Sequence, residues 1–187
     1  MNKYAGDWEL VEKARTGDER AFAAIVRKFE PMVANVVKGM LGNVAEADDV
    51  GQEVFIRFYH SLDRYRGDAA LRTYLTRIAI NLSLNELKKK KRVVSLFTQK
   101  QEEAGYSDLS DEGRDAEKRD TREVVEAALR KLDEGFRSVV VLRLIEGYST
   151  KETAEILNLP VGTVLSRLSR AQKQLKEILM NEKIFKP

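Results

Sequence analysis

Scarcity of proline constrains this chain more than any other feature. Three prolines stand in 187 residues, at Pro31, Pro160 and Pro187. Proline removes a backbone donor and clashes with the preceding helical turn, so long helices run freely elsewhere. The chain is also rich in Ala, Leu, Glu, Lys and Arg, which favour helix. The expected fold class is all-α.

Apolar periodicity sets the organisation. Asp7 is placed to cap a short helix ending at Gly17, and Asp18 to cap the next. Phe22, Ile25, Val26 and Phe29, then Val33, Val36, Val37 and Met40, recur at helical spacing, and Gly42 closes that helix. A segment from about Ala45 turns Val50, Val54 and Phe58 inward. Asp68 is placed to cap a long helix with Leu71, Leu75, Ile78 and Leu82 on one side, running into Lys88–Arg92.

The stretch 93–120 is rich in Ser, Gly, Glu and Asp and reads as a flexible acidic linker. Periodicity resumes with Val124, Val125, Ala128, Leu129 and Leu132, then Phe136, Val139, Val140 and Leu144 up to Gly147. Two domains are therefore expected, a helical bundle over 7–92 and a smaller domain over 121–182.

Cysteine is absent and His60 is the single histidine, which excludes disulfides, thiolate metal sites and histidine clusters. No cofactor is expected. The start lacks a signal-peptide pattern and no apolar run of about 18 residues exists, so direct membrane insertion is not expected and a cytoplasmic location is.

The net charge is only +3, but it is unevenly spread. Ten Lys/Arg face four Asp/Glu between Glu53 and Arg92, and six face two from Leu165 onward. Between them, Glu102 to Glu117 holds seven acids and one Arg. Two basic blocks around an acidic one suit a bipartite polyanion binder, although solvated helix faces have the same composition.

Ser149 and Glu152 have capping-box spacing and open a short helix that stops near Asn158–Pro160. A longer amphipathic helix follows from about Val161, burying Val164, Leu168, Ala171, Leu175 and Ile178. This is a helix-turn-helix pattern. Its second helix carries Thr163, Ser166, Arg167, Arg170 and Gln174 on one polar face, where arginine can grip guanine bidentately. An ordinary helical hairpin with a basic outer face fits the same pattern.

Several segments together resemble a known family. Leu159–Val164 with Ser166–Ala171, preceded by Phe136–Arg143 and Glu146–Ser149, is similar to the upstream-element reader of extracytoplasmic-function (ECF) sigma factors of the sigma-70 type. Asp48–Phe55 resembles their polymerase-docking helix. Tyr65–Asp68 with Thr73–Leu75, Arg77–Ala79 and Asn81 resembles their promoter-melting segment. The resemblance implies an alternative sigma factor, not an enzyme. Its halves would be sigma region two and the helix-turn-helix region four.

That resemblance implies partners and residue roles. Asp49, Gln52, Glu53 and Ile56 would dock on the clamp-subunit coiled coil of core RNA polymerase, and the second domain on its flap. Tyr65, Arg66, Asp68, Arg72, Tyr74, Arg77, Asn81, Lys88 and Lys89 would hold single-stranded promoter DNA, with a base pocket near Tyr65–Asp68 and Asn81. Thr163, Ser166, Arg167, Ser169 and Arg170 would read duplex DNA. An anti-sigma factor is implied as a further partner, and the linker would thread between polymerase subunits.

Elementary chemistry agrees with these roles and leaves alternatives. Strand opening needs cations for phosphates and π-faces for unpaired bases, worth about 1–3 kcal/mol per stacked base. A lone Tyr is equally a core residue, and an acidic helix face is equally a solvated one. Leu165 stands where many relatives carry Lys or Arg, Tyr74 where Trp is common, and Asp133 where Pro is common. Asp48 and Asp49 are adjacent on a helix and cannot face each other as an acid–base pair. A free-standing helix-turn-helix regulator and a protein-binding helical adaptor are the competing readings.

Overall fold

The computed structural model describes residues 5–102 and 121–181. Among the described residues every regular element is helical: α1 (Ala5–Arg15), α2 (Glu19–Leu41), α3 (Ala45–His60), α4 (Leu71–Glu102), α5 (Thr121–Lys131), α6 (Glu134–Val140), α7 (Thr150–Leu157) and α8 (Val161–Asn181). A 3-10 turn at Leu62–Arg64 follows α3, and a π-helical turn at Val141–Ile145 continues α6.

The first domain is built round α2. Its stripe of Ile25, Phe29, Val33, Val36, Val37 and Met40 is buried against α1, α3 and α4. Burying each Val or Ile of this kind contributes about 1.5–3 kcal/mol. Pro31 lies inside α2 on its exposed side, so the stripe passes it unbroken. Asp18 caps α2 by accepting from the backbone N–H groups of Arg20 and Ala21. Gly42 ends it at φ +86°, in the region that favours glycine.

Three expectations are corrected. Asp7 sits in the first turn of α1, ion-paired with Lys28, because the helix already begins at Ala5. Asp68 does not cap α4, which begins at Leu71; Ala69 and Ala70 lie between, and the Ala70 carbonyl already accepts from the Tyr74 N–H at 3.0 Å. And α4 runs to Glu102, ten residues beyond Arg92, because no Gly or Pro interrupts the chain between Asp68 and Gly105. The rest of the expected linker, 103–120, lies outside the described residues.

In the second domain four consecutive side chains serve three different cores. Val139 packs with Ala154 and Val164, and Val140 with Leu129, Leu132 and Ala171. Val141 and Leu142 join the core of the first domain. The π-turn, closed by the Glu146 N–H on the Val141 carbonyl at 2.9 Å, shifts the register there. Leu144, expected inside, is consequently 51 % exposed. The sequence leaves open whether the two halves pack; in the structure they do.

Candidate nucleic-acid interface

On α3, Val54 and Phe58 are buried, which sends the opposite face outward. Asp49 and Gln52 are exposed there, beside Ile56 at 51 % and Tyr59 at 53 % exposure. Glu53 is half-buried and accepts from Arg57 Nε at 2.8 Å. This face combines an apolar centre with an acidic and amide rim, and it is free to meet a partner. Lys90 reaches the same helix and pairs with Glu46 at 2.9 Å, holding that carboxyl below its usual range.

The loop between α3 and α4 is held from α1. Arg15 donates from Nη2 to the carbonyls of Leu62 (2.8 Å) and Tyr65 (2.6 Å), while Trp8 covers Gly67. A β-carbon on Gly67 would stand 2.7 Å from Trp8 Cζ3, and the φ of +75° already favours glycine. Tyr65 is not at the surface. Its ring is 6 % exposed, between Trp8, Phe58 and Tyr74, and its hydroxyl donates to the Ala69 carbonyl at 2.7 Å. Three aromatic neighbours make it a core residue that anchors the loop, while Arg66 and Asp68 project from it.

Along α4, Tyr74, Arg77, Asn81 and Lys88 follow helical spacing on one face. Asn81, Lys88 and Lys89 are exposed and Tyr74 is half-buried, its hydroxyl on Ser61 Oγ at 3.1 Å. Lys89 sits 3.6 Å from Glu86. Arg72 and Arg77 are tied to the second domain. Arg72 donates to the Glu146 carbonyl (2.9 Å) and carboxylate (3.1 Å) and lies 4.7 Å from the centre of the Tyr148 ring. Arg77 donates to the Glu155 carbonyl at 3.2 Å.

In the helix-turn-helix, Ser149 accepts from the Glu152 N–H and the Glu152 carboxylate accepts from the Ser149 N–H, completing the capping box. Asn158 makes the turn in the left-handed region at φ 52°, where Asn is tolerated. Val164 and Ala171 are fully buried, so α8 turns Ser166, Ser169 and Arg170 outward. Thr163 and Arg167 are half-buried, Arg167 lying beside Gly135. Leu165, 53 % exposed, flanks the polar face.

Family comparison decides what this arrangement belongs to. The model for "Sigma-70 region 2" matches residues 25–93, and that for "Sigma-70, region 4" matches 122–175. RNA polymerase sigma-H factor of Pseudomonas aeruginosa is 34 % identical over 180 residues, covering 92 % of this chain and 93 % of that one. The chain belongs to the sigma-70 family, in its ECF group. ECF RNA polymerase sigma factor SigW of Bacillus subtilis is 34 % identical over 176 residues, covering 90 % and 94 %. A solved structure of CnrH, in complex with the cytosolic domain of CnrY, matches with TM-score 0.68 at 28 % identity, covering 94 % and 97 %. The protein is thus an alternative sigma factor that directs transcription initiation, and its relatives are not enzymes.

In this sigma factor the helix spacing places the α3 face and the α8 face as the sequence predicts. In the α4 set Arg72, Arg77, Asn81, Lys88 and Lys89 are all exposed, Arg72 and Arg77 donating in addition to carbonyls of the second domain. Sequence reasoning missed Trp8 and Arg15, which fix the Tyr65–Asp68 loop, and Glu146 and Tyr148, which hold Arg72. It also missed Arg137, 6 % exposed, which donates to the carbonyls of Met40 (2.5 Å), Arg130 (2.5 Å) and Leu132 (2.9 Å). Nothing in helical periodicity separates a cation that meets carbonyls from one that meets water. No described helix is long and apolar enough to cross a membrane.

Proposed function

We propose that this sigma factor engages core RNA polymerase and promoter DNA through three separate faces. Asp49, Gln52, Glu53 and Ile56 of α3 dock on the clamp-subunit coiled coil, and the second domain meets the flap. Arg66, Asp68, Arg72, Tyr74, Arg77, Asn81, Lys88 and Lys89 take the opened strand of the downstream element. Thr163, Ser166, Arg167, Ser169 and Arg170 read the upstream element as duplex, with Arg170 bidentate to a base and the hydroxyls on phosphates or base edges.

The observation that carries this reading is the outward polar face of α8, where Ser166, Ser169 and Arg170 are exposed among the described residues. Tyr65 enters as the support of the base pocket and not as a stacking platform, since its ring is inside the core. The base is held instead by groups that reach the surface, above all the loop at Arg66–Asp68 and Asn81. The protein works where the polymerase is, in the cytoplasm.

An anti-sigma factor that covers these faces fits the company the fold keeps. CnrH is seen with the cytosolic domain of CnrY, and RpoE of Bartonella quintana with the anti-sigma factor NepR. The assembly is tested with Ile56→Asp, which leaves the fold intact because the side chain is half exposed. Binding to core polymerase should fall at least about tenfold, the equivalent of 1.4 kcal/mol, while duplex affinity of the protein alone is unchanged. Unaltered core binding would remove α3 from the docking surface.

A further inference from the structure

The first turns of α8 expose two large apolar side chains, Val161 at 46 % and Leu165 at 53 %. They stand four residues apart and so share one side of the helix, with Ser169 next along the same row and exposed. The residues that fold the domain lie on another side. Val164 and Ala171 are fully buried and Leu168 packs against the same cores. Leu165 is therefore not held out of water by the protein itself, and it adjoins the polar face of Ser166, Ser169 and Arg170.

The neighbouring hydroxyl is already committed in one direction. Ser166 donates from Oγ to the Thr163 carbonyl at 3.1 Å, which leaves its lone pairs to accept from outside. An apolar group and a hydrogen-bond acceptor thus stand side by side in the early turns of a recognition helix, where side chains meet base edges. In the major groove thymine presents a 5-methyl group, and the adenine paired with it presents an amino donor. Guanine presents only acceptors there, and leucine would cover them without supplying a donor, leaving desolvated polar atoms unmet.

We propose that Leu165 determines specificity in the upstream element by covering the 5-methyl group of a thymine, while Ser166 accepts from an adenine amino group beside it. The inference rests on the assignment of α8 to duplex DNA, and it adds which base the apolar part of that face selects. Leu165 carries no charge and releases no counterions from the phosphates, so its contribution is independent of salt.

The test uses the full chain bound to core polymerase, selecting from a pool of duplexes randomised upstream of the start. Leu165→Ala keeps a strong helix former at an exposed position. The wild type should recover thymine at one position that Leu165→Ala leaves unspecified. Leu165→Arg should recover guanine there instead, because arginine grips guanine bidentately. Replacing that thymine by deoxyuridine deletes the methyl group alone. It should weaken binding of the wild type about fourfold at every salt concentration, the equivalent of about 0.8 kcal/mol, and leave Leu165→Ala unaffected.

Equal affinity of the wild type for thymine and deoxyuridine overturns the proposal, as does a thymine preference that survives in Leu165→Ala. So does a Leu165→Ala that keeps the element and loses affinity for core polymerase, which would make Leu165 a protein contact. Arg170→Ala separates this inference from the reading beneath it. If Arg170→Ala relaxes a position and Leu165→Ala relaxes none, α8 still reads duplex DNA and only the role of Leu165 falls. If neither variant changes the recovered sequences, both fall together.

Discussion

The hydroxyl of Tyr148 lies 2.7 Å from Oγ1 of Thr76, across the seam between the two halves of the chain. Both residues are buried, Thr76 fully and Tyr148 to 3 %. Thr76 also lies 3.2 Å from Met32 Sδ, and Tyr148 carries Arg72 on its ring face. One hydrogen bond thus connects the core of the first domain, the arginine assigned to DNA and the turn that opens the helix-turn-helix. Replacing Thr76 by Val removes the bond while keeping the shape. The Tyr148 hydroxyl is then left with the Arg72 carbonyl at 3.5 Å, and closure should weaken by about 1 kcal/mol. Hydrogen exchange of the α7 amides should quicken to match, with exchange within α2 unaffected.

Arg137 is the seam's most demanding residue. Its guanidinium is buried and, among the described residues, forms no ion pair, resting on the carbonyls of Met40, Arg130 and Leu132. Burial pushes its pKa down, and the nearby charges of Glu134 and Asp133 oppose that. Arg137→Met should destabilise the protein by about 2–4 kcal/mol, since it leaves buried acceptors unmet. Urea unfolding should report the loss. A change within about 0.5 kcal/mol would show that these contacts contribute little.

Acidity should tighten the closed form. Burial raises the Glu146 carboxyl above its ordinary 4.5, against the hydrogen bond and charge of Arg72, which lower it. Tyr148 and Glu152 are the other titratable groups near that turn. A raised folded value means that the closed state holds the proton more tightly. Its contribution is complete below the ordinary value and is lost as pH rises through the folded one. Probe distances between α4 and α8 should therefore shorten as pH falls through the raised folded value towards the ordinary 4.5. Glu146→Gln should flatten that dependence, and an equally steep profile in the variant would assign it to another group.

Gly67→Ala should damage the promoter loop without touching the docking face. The backbone there is left-handed, and a β-carbon would meet Trp8 at 2.7 Å. The strain costs about 1–2 kcal/mol and displaces Trp8 from the loop. Binding of single-stranded promoter DNA by the polymerase–sigma complex should weaken severalfold, whereas core affinity stays level.

Two cations should fail in different ways. Arg170→Ala removes a base contact worth about 1–3 kcal/mol and relaxes discrimination at one position of the upstream element. Lys89→Ala removes charge from the basic run on α4 and should weaken binding across sequences, with a shallower salt dependence. If Arg170→Ala leaves mutant and native elements equally discriminated, its assigned role is wrong.

Much of this was legible because helical spacing dictates it. Val54 and Phe58 go inside, so Asp49, Gln52 and Ile56 must go outside, and Val164 and Ala171 fix Ser166 and Arg170 in the same way. Asp18, Gly42 and the Ser149–Glu152 box announced helix ends through local chemistry. Asp68 misled, because Ala69 and Ala70 lie between it and the start of α4 and leave its side chain too far from the helix's first N–H groups. Leu144 misled because the π-turn adds a residue to its helical turn.

Tyr65 is a core residue that composition cannot distinguish from a stacking platform, since the difference lies in how the chain folds Trp8, Phe58 and Tyr74 around its ring. The closure of the two halves was illegible for a related reason. It depends on Arg72, Glu146, Tyr148 and Arg137, polar residues whose partners lie 70 or more positions away in several cases. Periodicity carries no information at that range.

The most direct measurement of the central claim is transcription in vitro by bacterial core polymerase on fragmented genomic DNA, with and without this protein, with transcript starts mapped. The account predicts new starts that share two spaced upstream elements and disappear with Ile56→Asp. Failure of the protein to bind core, with no new starts, would contradict it and favour a free-standing helix-turn-helix regulator.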